Sequence, residues 1–252
     1  MRNPYLKNLN KIEFVVTSAC TGRCKHCSQG EHTFAEEPID SAIASDAVRR
    51  VVAEYDIKTV MTFGGEPLLY PDVVYEIMSA AREANVPARQ VITNGYFSRS
   101  REKIREVAEM LSLCGVNDLL LSVDAFHQDT IPLDVVLDFA REVTGRDIPA
   151  RLQPAWLVSA EDNNPYNVET RKILHRFSEL NIPVSEGNVI FPEGNAARYL
   201  TEYFEDESPE NPYVDDPHDV CCLSFAPNGD VLDGNVYNSD IMKIIENYKP
   251  KV

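Results

Sequence analysis

The strongest constraint on this chain is a recurrence. Strand-like apolar runs begin at Lys58, Arg89, Asp118, Arg151 and Val184, a spacing of about 30 residues, which is the length of one βαβ unit. A sixth run, IEFVVT from Ile12, precedes them after a longer interval. Segments of helical period fill the gaps, among them SDAVRRVVAEY, PDVVYEIMSAAREA and REKIREVAEMLSLCG. The last of these ends in Gly115, as helices often do, and Pro71 sits where a first-turn proline is tolerated. Parallel strands need crossover connections. Six such units therefore specify an α/β fold with helices outside a parallel sheet, either an incomplete barrel or an open doubly wound sheet. With 252 residues and 44% apolar side chains, the chain can bury a sizeable core.

In both architectures the chemistry gathers just beyond the carboxyl ends of the strands, which selects the residues that matter. After the first strand comes ACTGRCKHCSQG, with Cys20, Cys24 and Cys27. After the second comes Gly64-Gly65-Glu66-Pro67, and after the third Thr93-Asn94-Gly95. The fourth ends in SVDAFHQ, with Ser122, Asp124 and His127; the fifth carries Arg151, Gln153 and Trp156. The sixth runs into FPEGNA. Three thiolates are one short of the four that close a structural zinc site. His26 or His32 would complete one, but His26 directly beside Cys27 would strain a tetrahedron, and zinc gives no account of the Gly-Gly-Glu-Pro stretch. A three-cysteine loop holding a four-iron cluster instead leaves one iron open to a substrate or cofactor.

Cys-x3-Cys-x2-Cys after a first strand, with Gly-Gly-Glu-Pro after the second, closely resembles the radical S-adenosylmethionine (SAM) superfamily, from about Ile12 to Ala196. The resemblance implies a partial (β/α)6 TIM-like barrel over residues 1–200 with a short C-terminal extension over residues 201–252. It implies a [4Fe–4S] cluster on Cys20, Cys24 and Cys27, with the amine and carboxylate of SAM on the fourth iron. One-electron cleavage of SAM would then give a 5′-deoxyadenosyl radical that abstracts hydrogen from a substrate. By the same resemblance Gly64, Gly65, Glu66 and Pro67 meet the SAM amine, and Asn94, Ser122 and Asp124 contact its ribose and methionine ends. Arg151 is expected to pair with the methionine carboxylate as a bidentate fork. His26 stands where the family commonly has an aromatic residue packed near adenine, and Asn195 replaces the arginine of a Gly-Arg-Ala sequence. Read without the family, Ser122 and Asp124 equally suit helix capping, His127 and Trp156 suit packing, and Cys114 suits an inert core thiol.

After Leu200 the repeat stops. An acidic stretch, EDESPENPYVDDPHD, leads to CCLSFAPNGDVLDG, in which Asn228-Gly229 reads as a hairpin turn, and then to a final amphipathic helix. This hairpin-plus-helix extension resembles the SPASM and twitch extensions that hold auxiliary clusters, but Gly234 stands where a cysteine is expected. Cys221 and Cys222 are therefore expected either to pack under the hairpin or to donate hydrogen to a substrate radical. The kinship tilts the expected substrate towards a peptide or protein side chain, with a small metabolite as the alternative. A non-catalytic iron–sulfur or zinc protein is the alternative of another class.

The net charge is −16, and the span between Tyr199 and Met242 holds eleven acids and no Lys or Arg. That is the wrong sign for counterion release, so nucleic acid is not an expected partner. No charged-then-apolar leader and no bilayer-length apolar run is visible, and six cysteines without a secretory signal suit a reducing compartment. The expectation is a cytoplasmic enzyme, away from membranes, served by a flavodoxin- or ferredoxin-type electron donor.

Overall fold

A computed structural model describes residues 2–32, 36–204 and 209–250. Glu205, Asp206 and Glu207 of the acidic stretch lie outside the described residues. The elements run β1 (Lys11–Val15), α1 (Ser41–Glu54), β2 (Thr59–Phe63), α2 (Pro71–Glu83), β3 (Ala88–Thr93), α3 (Arg101–Leu113), β4 (Asp118–Ser122), α4 (Ala125–Gln128), α5 (Leu133–Thr144) and β5 (Ala150–Gln153). There follow β6 (Ala155–Trp156), α6 (Pro165–His175), β7 (Asn188–Val189), α7 (Gly194–Tyr199), β8 (Cys222–Phe225), β9 (Asp230–Val231), β10 (Gly234–Asn235) and α8 (Ile241–Asn247). The main sheet has six parallel strands in the order β5-β4-β3-β2-β1-β8, the α/β arrangement expected of a partial barrel. Among the described residues, no helix is long and apolar enough to cross a membrane.

Local chemistry explains the elements. Alternate residues of β1, Ile12 and Phe14, are fully buried, while Lys11, Glu13 and Val15 are half-buried on the other face. α1 and α3 begin where Asp40 and Ser100 accept from the backbone N–H groups of Ile43 and Lys103. α2 opens on Pro71, and α3 gives way at Cys114 to Gly115, whose φ of +88° is the left-handed turn that glycine tolerates.

Two expected elements differ. The sixth strand is reduced to a bridge between Leu152 and Val184 and the short β6–β7 pair. Pro154, without an N–H, separates β5 from β6, and Gly187 bends the facing segment with φ +76°. CCLSF does not form the first arm of a hairpin. It is β8, paired in parallel with β1 from Lys11↔Cys222 to Phe14↔Phe225, and the Phe14 and Phe225 rings stack with centroids 4.7 Å apart. The Asn228-Gly229 turn is present, closed by Gly229 N–H donating to the Ala226 carbonyl at 2.9 Å, but the antiparallel pair beyond it is β9 with β10. Ile241, Ile244 and Ile245 of α8 join the same core as β1 and β2. The extension therefore shares the sheet and core of the barrel.

Candidate active site

The cysteine loop leaves the carboxyl end of β1 and is clamped from two sides. From the segment after β2, Gly65 N–H donates to the Thr17 carbonyl at 2.7 Å and Glu66 N–H to the Ala19 carbonyl at 2.8 Å. The approach is so close that a Cβ on Gly65 would lie 2.1 Å from the Ala19 oxygen. From α7, Asn195 donates through its backbone to the Cys27 carbonyl at 2.8 Å and through Nδ2 to the Cys24 carbonyl at 3.1 Å. Asn195 is thus a clamp on the loop, a role that its sequence position did not reveal.

One cavity is lined by Cys20, Cys24 and Cys27 together with His26, His32, Gly64, Gly65, Asn94, Ser122 and His127. Asn94 reaches the Thr21 hydroxyl at 3.2 Å and the Cys20 sulfur at 3.6 Å. His32 donates from Nδ1 to the Ser18 carbonyl at 2.8 Å, which points Nε2 at the Cys27 sulfur, 3.1 Å away.

Other expected contacts fall outside this cavity. Glu66 and Pro67 are buried beneath it. The Glu66 carboxylate accepts from the Thr93 hydroxyl at 2.7 Å, Asn94 N–H at 2.8 Å and Leu68 N–H at 2.9 Å, so it braces the second strand end against the third. Asp124 is also buried and accepts from Phe126 N–H, His127 N–H, Ala155 N–H and His127 Nδ1. Arg151 is a correction. Its guanidinium pairs with Asp118 at 2.7 Å, at the amino end of β4, and lines a different cavity. A second correction concerns Cys222, which sits opposite Lys11 at the amino ends of the strands with Cys221 just before it, while the cysteine loop lies at the carboxyl ends. His127, a strand-end residue for which packing was the favoured expectation over catalysis, lines the cavity with its ring fixed by Asp124.

Burial dominates the electrostatics. It pushes the Cys20 thiol up to about 12, with the Glu66 carboxylate adding to the rise, and raises Cys24 and Cys27 as well. Burial also lowers His26 to about 4, leaving a neutral ring tilted against Phe126 and edge-on to His127. His127 is pulled down by burial but is held above its ordinary value by the Asp124 carboxylate, which is itself held low by His127 despite its own burial. Glu66 is raised by burial from 4.5 to about 7, against the pull of its three donors.

The folded chain therefore holds a proton on Glu66 across a range where the unfolded chain has lost it. Stability is expected to fall as pH rises from about 4.5 to about 7 and to level off above that. Denaturant melts at about pH 5 and about pH 8 should show this slope in the wild type and a flatter one in Glu66→Gln. Equal slopes would remove Glu66 as the cause.

The donor set discriminates between metals. Four-coordinate zinc, with bonds near 2.3 Å, needs sulfurs about 3.8 Å apart. Among the described residues, Cys24, His26 and His127 bring their ligand atoms within 4.8 Å of one another. His127 commits Nδ1 to Asp124, which weakens that group as a metal site. Three thiols on one loop, with thiol pKa values raised by burial and lowered again by a bound metal's charge, fit a polynuclear cluster whose remaining metal site stays open.

The family model described as the Radical SAM superfamily matches residues 14–197. The chain is 26% identical over 214 residues to a probable GTP 3′,8-cyclase of Saccharolobus solfataricus, covering 78% of this chain and 65% of that one. It is 28% identical over 155 residues to a probable GTP 3′,8-cyclase of Sulfolobus acidocaldarius, covering 60% and 43%. The chain thus spans less than two thirds of the length of these curated relatives. Among solved structures it is similar to Streptococcus suis SuiB bound to S-adenosylmethionine, with a TM-score of 0.61 at 13% identity over 96% of this chain and 67% of that one. It is also similar to anSMEcpe with bound AdoMet, with a TM-score of 0.61 at 14% identity over 94% and 80%. At such identities the likeness is one of fold.

Proposed function

Because the chain belongs to the radical SAM superfamily, we propose that Cys20, Cys24 and Cys27 hold a [4Fe–4S] cluster and that the chain is an enzyme that uses SAM to take hydrogen from a substrate. The observation that carries this reading is the meeting of two buried thiols, Cys20 and Cys24, and the half-buried Cys27 in one cavity with the Gly64-Gly65 backbone, Asn94 and Ser122. Once bound, these cofactors would supply the one-electron chemistry that makes hydrogen abstraction possible.

The chain's own residues bind and orient. Gly64 and Gly65 offer backbone to the methionine end of SAM, and their missing side chains let that backbone press against the cysteine loop. Asn94 and Ser122 offer polar contacts to its methionine and ribose ends. Neutral His26, backed by Phe126, presents a flat, uncharged surface suited to adenine. Glu66 and Asp124 act beneath this surface by fixing the strand ends, and the Asp124–His127 pair aims an imidazole at the cavity. Arg151, Cys221 and Cys222 stand outside this set. A flavodoxin- or ferredoxin-type protein provides the electron, in the reducing cytoplasm.

We read the substrate as a small molecule, because the curated sequence relatives carry the name GTP 3′,8-cyclase. A peptide side chain is the second reading, on the kinship of the hairpin to SPASM-type extensions. Anaerobic reconstitution is expected to give about four irons per chain, a reduced-cluster EPR signal that changes with SAM, and dithionite-dependent deoxyadenosine. Bound zinc, or a cluster indifferent to SAM, would overturn the assignment. Faster deoxyadenosine formation with GTP than with short peptides would support the small-molecule reading, and the reverse would favour the peptide.

A further inference from the structure

We propose that a second cavity, on the same face of the sheet as the cysteine cavity, binds an anionic group of the substrate, a carboxylate or a phosphate, with Arg151 as its anchor. This rests on the reading of the cysteine loop as the place where the radical is made. The cavity measures about 500 Å³ and is lined by Leu120, Arg151, Gln153, Ser185, Glu186 and Gly187, among others. The sheet register makes it a direct neighbour of the first. Leu120 and Ser122 lie two residues apart on β4 and so share a face. Ser122 lines the cysteine cavity and pairs with Gln153, while Leu120 lines the second cavity and pairs with Arg151. A substrate anchored in one therefore extends into the other within a single strand step.

The anchor is preset. One terminal nitrogen of Arg151 donates to Asp118 Oδ2 at 2.7 Å, and the same oxygen also accepts from Gln90 Nε2. Nε of Arg151 is buried with no hydrogen-bond partner. A charged donor without an acceptor is costly where it is buried; Nε has no open surface of its own, but the Arg151 side chain is 39% exposed, so a turn of the guanidinium towards a ligand oxygen would relieve it. Two oxygens of a carboxylate or phosphate match the guanidinium fork. Gln153 commits Oε1 to the Ser185 hydroxyl at 2.6 Å, which leaves its amide nitrogen as the group free to donate. Asp118 offsets the charge of Arg151 and Glu186 adds a second acid to the lining, so the cavity offers no net positive field and selects by placed donors alone.

The test uses the reconstituted full chain, titrated with inorganic phosphate and separately with acetate and followed by NMR line broadening. At least one is expected to bind with a Kd on the order of millimolar; phosphate alone assigns a phosphate subsite, acetate alone a carboxylate subsite. Arg151→Gln combined with Asp118→Asn, which leaves no carboxylate unpaired, is expected to weaken that binding about tenfold or more. Gln153→Leu is expected to weaken it several-fold with an unchanged melting temperature. Binding of neither anion, or binding untouched by both variants, overturns the proposal. The SAM-dependent EPR change is expected in wild type and variants alike. Its absence from the wild type would defeat the cofactor reading, while the anion titration still judges the cavity.

Discussion

Replacing Cys24 with alanine is expected to strip the reconstituted chain of its iron and to bring deoxyadenosine formation down to background. Cys24 is one of three thiols in the cavity, and its loss leaves two anchors for a cluster that already lacks a fourth protein ligand. Its neighbours offer poor substitutes. His26 is locked by burial against Phe126, and His127 spends Nδ1 on Asp124. The loss should therefore exceed the roughly 10–100-fold cost typical of disturbing groups that only support a metal ligand. Cys114→Ala is the matching control, since that thiol is buried at the end of α3 and donates to the Leu111 carbonyl. Iron content and product assays should separate the two variants cleanly. Wild-type iron and SAM response in Cys24→Ala would remove the loop from the cofactor site.

The second large effect concerns Gly65→Ala. The added methyl would lie 2.1 Å from the Ala19 carbonyl oxygen and 2.8 Å from that of Ser18, and both are backbone atoms that cannot rotate away. Either the two hydrogen bonds joining Gly65 and Glu66 to the cysteine loop stretch, or the loop moves with its thiols. A cost of about 3 kcal/mol or more is expected, near the upper end for overpacking, which in a chain of this size lowers the melting temperature by roughly 6–12 °C. Reconstitution of the surviving folded fraction should also be poor, because the clamp sets the positions of Cys20 and Cys24. A variant that melts with the wild type and loads iron normally would show that the contact yields easily.

How much of this was legible in the sequence depends on the range of the signal. The cysteine loop and Gly-Gly-Glu-Pro are short motifs placed by strand ends, and the strand–helix rhythm fixes which ends share a surface. Arg151 was misplaced because its role depends on register: pairing with Leu120 points it beside the cysteine cavity, and no local pattern states that pairing. CCLSF was legible as a strand but not its partner. The nearby Asn-Gly turn favours a local antiparallel arm, whereas parallel pairing with a strand near the start of the chain leaves no sequence mark. Asn195 and His127 acquire their roles only when α7 and α4 dock against the loop. The break between β5 and β6 did carry a local warning, since Pro154 interrupts the fifth run, RLQPAWLV.

The pairing of β8 with β1 also sets a schedule for folding during synthesis. β1 is made early, but the neighbour on its outer edge emerges roughly 200 residues later, and at usual elongation rates that is a delay of roughly 10–40 s. Throughout that interval Ile12 and Phe14 lie beside an open row of backbone donors and acceptors, a template for any other extended chain. The nascent chain thus passes through a vulnerable phase that ends only when Cys222–Phe225 leaves the ribosome. Slow translation of the acidic stretch would prolong that phase, and chaperone cover of the early strand would shorten its consequences.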